Sequence, residues 1–267
     1  MSEATATILG ASGRLGRLMQ HVAGETTGDG LPLRYLRRAD WDIGVSPAPA
    51  LGPGPVLDLA GVTRRPPDEN PGIAAEVALA ARRAGARLLH VSSAAVYPGG
   101  MMDMTEDQIL APPSPYGRSK MAAEAQVRAI CPDAVILRLG NVAGADALLG
   151  GLIDGKPALL DPVPGQDGGP VRSYIGPRTL AGVLQRLLNL AAAGADLPPV
   201  INIAQPGEVS MASLLEARGH PWQFGPPREG VVARVVLDTC RLQSVMPVAP
   251  VSAGALVAEL DQMAGWP

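Results

Sequence analysis

The stretch "ATATILGASGRLG", residues 4–16, carries a short apolar run straight into three glycines, Gly10, Gly13 and Gly16, spaced G-x-x-G-x-x-G. An apolar run that ends in such a triplet, with a helix-like segment beginning at Arg14, reads as strand, tight turn and helix. Glycines there let the chain turn sharply and let a pyrophosphate approach the helix N-terminus, where free N–H groups and the helix dipole favour an anion. Ser12, Arg14 and Leu15 share that turn. The same triplet also fits a plain strand-to-helix turn, so the rest of the chain has to decide.

Outward from the turn, short apolar runs alternate with helix-like segments, the pattern of a parallel sheet with crossover helices on both faces. The predicted strands are residues 4–9, 33–36, 56–60, 87–93 and 134–139, and the predicted helices are 14–23, 72–84 and 116–130. Residues 42–55, "DIGVSPAPALGPGP", hold too much Pro and Gly for a good helix, so one crossover is expected to be a loop. After Gly144 the rhythm changes. Leu180, Val183, Leu184, Leu187 and Leu188 form one apolar helix face, residues 200–204 and 231–238 read as strands, and Ser210 is placed to cap the helix "MASLLEA". "SAGALVAELDQM" reads as a closing helix. The expected class is α/β: a Rossmann-type doubly wound parallel sheet in residues 1–144, which bind a dinucleotide. Residues 145–267 are expected to form mostly a small C-terminal substrate lobe, with some segments returning to the sheet.

Composition narrows the partners. The 22 Lys and Arg are scattered and the formal charge is −3, which leaves no basic stripe for nucleic acid. No apolar run reaches membrane-spanning length and residues 1–13 lack a signal-peptide pattern, so a cytoplasmic protein without a membrane partner is expected. Two cysteines, Cys131 and Cys240, and three scattered histidines suggest neither a disulfide framework nor a metal site; both cysteines are expected to be buried. His90, inside an apolar strand, reads as a satisfied core histidine, and the charge run "RRPPDEN", residues 64–70, as a solvated loop.

Three groups of residues suggest chemistry. In "LRYLRRAD", Arg37 and Arg38 stand where dinucleotide sites often place an acid for the ribose; guanidinium there suits a 2′-phosphate and leans toward NADP over NAD. Two solvated arginines, with Asp40 serving as the acid, is the other reading. In "YGRSK" Tyr116 and Lys120 lie four apart on one helix face, either a surface pair or an acid beside the cation that tunes it. A tyrosine of ordinary pKa, about 10, exchanges protons poorly at neutral pH, and an adjacent ammonium favours its phenolate. Ser93 falls at the C-terminal edge of the sheet, where ligands of open parallel sheets bind.

Taken in order, "GASGRLG", "VSSAAVY", "YGRSK" and "LRLGNVAG" resemble the extended short-chain dehydrogenase/reductase family, and "VRSYIGPRTLAGVL" and "VINIAQPGEVSMASLLEA" resemble its C-terminal lobe. The resemblance implies that Gly10, Gly13 and Gly16 bind the pyrophosphate of NADP or NAD, and that Leu59, Ala60 and Gly61 line the cofactor. It implies Ser93, Tyr116 and Lys120 as the catalytic set, with Lys120 also on the nicotinamide ribose, and Asn141 on the substrate. Arg172 and Tyr174 either face the substrate, Arg172 as an anion partner, or pack the lobe. Asn70 stands near the place of the family's cofactor-contacting asparagine. Ala94 and Ala95 replace the Asp-Glu pair of the dehydratases, which disfavours dehydration. The implied activity is hydride transfer between nicotinamide and a secondary alcohol or ketone, in a reductase or an epimerase, with a homodimer through residues 72–84 and 116–130. The competing class is a non-catalytic dinucleotide-binding module, which tends to lose the catalytic set.

Overall fold

The computed structural model describes residues 5–25, 30–63, 68–263 and 266. Five short apolar runs of the first half form strands β1 (Ala6–Leu9), β2 (Leu33–Leu36), β3 (Val56–Asp58), β4 (Leu88–Ser93) and β5 (Val135–Leu139). A sixth, β6 (Val200–Ile203), comes from the C-terminal part, and all six pair in parallel in the order β6-β5-β4-β3-β1-β2. The doubly wound sheet is therefore present. Ala4 of the first predicted strand, and most of the 64–70 charge run, lie outside the described residues.

Helices α1 (Arg14–Glu25) and α4 (Pro177–Ala192) cover one face of the sheet, and α2 (Glu69–Ala84) and α3 (Pro115–Ile130) the other. The first face buries Ile8, Leu57, Val91, Leu137 and Ile201 against Leu18 and the Leu180–Leu188 stripe of α4. On the opposite face Val77, Ala78, Ala81, Ala123 and Val127 pack on Leu9, Val56 and Ile136; small alanines bring α2 and α3 close together. The link from β2 to β3 contains turns and no helix, as its Pro and Gly content dictates.

The remaining elements surround the C-terminal edges of the strands. Ser210 Oγ accepts the N–H of Ser213 at 3.2 Å and caps α5 (Met211–Arg218); α6 (Cys240–Val245) and α7 (Ala253–Asp261) follow. The strand expected over 231–238 shrinks to Arg234–Val235: beyond it the N–H of Leu237 bonds the Ser173 side chain at 2.8 Å, while the Ser173 carbonyl accepts from Asn141 N, so the ladder stops. Cys131 is buried, but Cys240 is exposed at the start of α6, where Asp238 holds its N–H. Among the described residues no helix is long and apolar enough to cross a membrane, and no cluster of three metal-ligating side chains occurs.

Candidate active site

β1 ends at Gly10 with φ +75°, a conformation that favours glycine, and a Cβ there would lie 2.8 Å from the backbone of Leu59 and Ala60. The ends of β1 and β3 can meet only without that atom. Beside this contact opens a cavity of about 670 Å³, lined by Gly13, Arg14, Leu15 and Gly16 of the first turn of α1 and by Leu59, Ala60 and Gly61. Arg14 Nη1 donates to Ala145 O at 2.7 Å and ties α1 to the loop beyond β5. A second cavity, about 530 Å³, adjoins the first through Gly13 and residues 59–62, and reaches Gly10, Ser12, Arg37, Arg38, Trp41 and Asp42. The two make one elongated cleft across the C-terminal edges of β1, β2 and β3. A helix N-terminus facing a backbone cradle at its centre fits a pyrophosphate, so the residues present suit a dinucleotide.

At the far end of the cleft the two arginines part company. Arg38 Nε pairs with Asp42 Oδ1 at 2.9 Å, whereas Arg37 makes no ion pair with a described residue. Asp40 Oδ2 accepts the N–H of Arg37 at 2.8 Å, so its carboxylate closes the turn and leaves the cavity wall to Asp42.

Ser93, Tyr116, Lys120 and Asn141 all line the first cavity. Ser114 Oγ accepts the N–H of Gly117 at 3.0 Å and Pro115 takes the first helical position, which starts α3 one residue before Tyr116. Gly117 then lets the helix abut the 3₁₀ turn Ala94–Val96: a Cβ there would sit 2.0 Å from Ala95 O. That approach brings Tyr116 to Ser93. Burial pushes the Tyr116 phenol up, and its hydrogen bond with the Ser93 side chain pulls it back down. Lys120 Nζ donates to Val91 O at 2.8 Å. Burial lowers the Lys120 ammonium, while Asp58 and then Glu124 oppose that.

Asn70 does not point freely at the cleft. Its side chain bonds Val62 N at 2.8 Å, Val62 O at 3.1 Å and Ser119 Oγ at 3.1 Å, tying the wall shared by both cavities to α3. Arg172 departs from the substrate role expected of it. Its guanidinium is spent on the carbonyls of Val171, Val232 and Ala233, and it lines neither cavity, which leaves the lobe-packing reading. Tyr174 is fully buried and its hydroxyl donates to Asp146 Oδ2 at 3.2 Å; Asp146, not singled out in the sequence, is the residue of that pair that reaches the cavity. Burial pushes the Asp146 carboxyl up. Two buried pairs also escaped the sequence reading: His90 Nδ1 with Asp58 Oδ2 at 2.7 Å, and Arg138 Nη2 with Glu124 Oε2 at 2.9 Å. The second had a visible signal, since Glu124 continues the Tyr116–Lys120 spacing by another four residues.

A parallel doubly wound sheet whose glycine turn and Ser-Tyr-Lys group share one cleft has the fold of the extended short-chain dehydrogenase/reductases. Residues 69–148 match the family described as the RmlD substrate binding domain. No curated protein matches the chain. Among solved structures, a dTDP-4-dehydrorhamnose reductase from Clostridium acetobutylicum superposes with a TM-score of 0.72 at 19% identity, over 97% of this chain and 99% of that one. A UDP-glucuronic acid 4-epimerase from Bacillus cereus, bound to a fluorinated sugar nucleotide and NAD, gives 0.74 at 18% identity over 97% and 98%. The dTDP-4-dehydrorhamnose reductase of Bacillus anthracis, in complex with NADP, gives 0.71 at 17% identity over 97% and 99%.

Proposed function

We propose that the chain is an NAD(P)-dependent oxidoreductase acting at a secondary alcohol or ketone of a sugar or sugar-nucleotide-like small molecule, as a reductase or an epimerase. The observation that carries this reading is that Ser93, Tyr116 and Lys120 line the same cavity as the glycine turn at the N-terminus of α1. The known reductases and epimerase of the same fold support it.

Bound there, the nicotinamide cofactor would supply or accept the hydride. Gly13, Gly16 and the first N–H groups of α1 would hold its pyrophosphate, with Arg14 adding positive charge, and Lys120 would hold the ribose. In the reducing direction Tyr116 gives its hydroxyl proton to the carbonyl oxygen, which Ser93 steadies by a hydrogen bond; in the oxidising direction Tyr116 takes the proton back. Lys120, as an ammonium, favours the phenolate. Asn141 touches the substrate. Arg37, which makes no ion pair with a described residue, favours NADP and with it net reduction. Asp42 favours the second reading, NAD held through its ribose diol in an epimerase, because that carboxylate lines the same cavity. A homodimer through the outer faces of α2 and α3 completes the proposal.

Tyr116→Phe is the direct test, with turnover and calorimetric cofactor titration measured on the same preparation. Loss of at least about a hundredfold in kcat with cofactor affinity nearly intact is expected. A variant of full activity overturns the mechanism.

A further inference from the structure

Beneath α3 the sheet turns a row of polar side chains toward the helix. Asp58 of β3 stands opposite His90 of β4, Ser92 of β4 opposite Arg138 of β5, and Arg138 opposite Asn202 of β6. All five are buried. Above the row, α3 lays Tyr116, Lys120 and Glu124 along one face at four-residue intervals. Lys120 is itself buried, 5% exposed, and an ammonium in such a place needs a counter-charge.

Lys120 Nζ reaches the sheet at Val91 O, one residue beyond His90, whose partner across the register is Asp58; against burial, Asp58 and then Glu124 of its own helix raise the Lys120 ammonium. Glu124 is already committed. Its Oε1 accepts from Ser92 Oγ at 2.6 Å and from Arg138 Nε at 3.1 Å, and its Oε2 from Arg138 Nη2 at 2.9 Å, so Arg138 neutralises it. Asp58 is held differently: Oδ1 accepts the N–H of Ala60 at 2.9 Å and Oδ2 meets His90 Nδ1 at 2.7 Å. His90 Nε2 is buried with no hydrogen-bond partner among the described residues, and a second proton there would have no acceptor. The 2.7 Å contact places a ring proton on Nδ1, donated to Asp58. Tyr116, Ser92, Ser93 and Asn70 line the first cavity with Lys120 and carry no charge to offset the carboxylate.

We propose that Asp58, oriented by His90, is the counter-charge that keeps Lys120 an ammonium ion and is thereby a positioning residue for the Tyr116 chemistry. The link to Tyr116 rests on the function proposed above. The same carboxylate fixes the N–H of Ala60, in the wall shared by both cavities, so one buried group sets the cofactor cradle and the charge of the lysine.

The chain contains two lysines, and the other, Lys156, is exposed, so lysine labelled with ¹³C at Cε gives a two-signal titration with its own internal standard. In the wild type the Lys120 signal is expected to report an ammonium at pH 7. In Asp58→Asn, which retains an acceptor for Ala60 N–H, its midpoint should fall by about one pH unit or more while Lys156 stays in place. The basic limb of the kcat profile should fall with it. His90→Phe removes a ring and no counter-charge, so the Lys120 midpoint should hold or rise. A neutral Lys120 in the wild type at pH 7, an unmoved midpoint in Asp58→Asn, or a fall in His90→Phe overturns the assignment. The titration needs no substrate: if the wild type proves inactive on every alcohol and ketone tried but the midpoint moves, the Asp58 role stands and the functional reading falls.

Discussion

Arg37 and Arg38 are neighbours in sequence with different circumstances. Asp42 already satisfies Arg38, while Arg37 lines the cavity and makes no ion pair with a described residue. Hydrogen bonds to a charged group contribute about 1.5–3 kcal/mol, so Arg37→Ala should weaken NADPH about tenfold or more and leave NADH nearly unchanged. Parallel calorimetric titrations check this; equal losses for both cofactors would remove the phosphate role. Residues brought to the cleft by local spacing were legible beforehand: the glycine triplet, and Tyr116 with Lys120. The Asp58–His90 pair was not, because its partners come from two strands and become neighbours only through sheet register. Arg172 misled for the complementary reason. An arginine in a substrate lobe invites an anion, and nothing in its neighbours announces that three carbonyls will absorb its donors.

At the scale of the element, α3 is positioned by what Gly117 lacks. Any side chain there starts with a carbon 2.0 Å from Ala95 O, so the helix must move away from the turn that follows Ser93. Overpacking of this kind costs about 1–3 kcal/mol. Gly117→Ala is therefore expected to lower the urea midpoint and to reduce kcat by more than it weakens cofactor binding, since Tyr116 and Ser93 separate while the glycine turn of α1 stays in place. Unchanged kcat in a destabilised variant would argue that the Tyr116–Ser93 contact is dispensable. Helices with clear apolar periodicity or a serine cap were readable to within a few residues, as α4 and α5 illustrate. The short strand Arg234–Val235 was overestimated because its pairing ends where Leu237 N–H turns to the side chain of the distant Ser173, and strand patterns carry no information about where pairing stops.

At the scale of the whole molecule, segments beyond the change of sequence rhythm at Gly144 return to the sheet. β6 closes the edge of the sheet, and the Leu180–Leu188 stripe of α4 covers the same core as α1. A fragment of residues 1–144 would leave β5 with an open edge and the α1 face half uncovered. We expect the full chain to unfold in one cooperative transition and the fragment to show none, with strong binding of a hydrophobic dye; a fragment that melts sharply would establish an independent unit. The general layout was visible because parallel sheets write near-continuous apolar runs, whereas the return of residues 200–203 to a particular edge is a long-range pairing. One consequence follows from the helix-free link between β2 and β3. Trp41, Leu51, Gly54 and Pro55 of that segment are buried and Ile43 and Ala48 pack on the same core, yet its exposed part walls the end of the cleft where Arg37 and Asp42 lie. Under the function proposed above, coenzyme choice sits on a loop held to the core by its apolar side chains, and replacing residues 37–46 with Trp41 and Ile43 kept should exchange it while the reaction chemistry stays untouched.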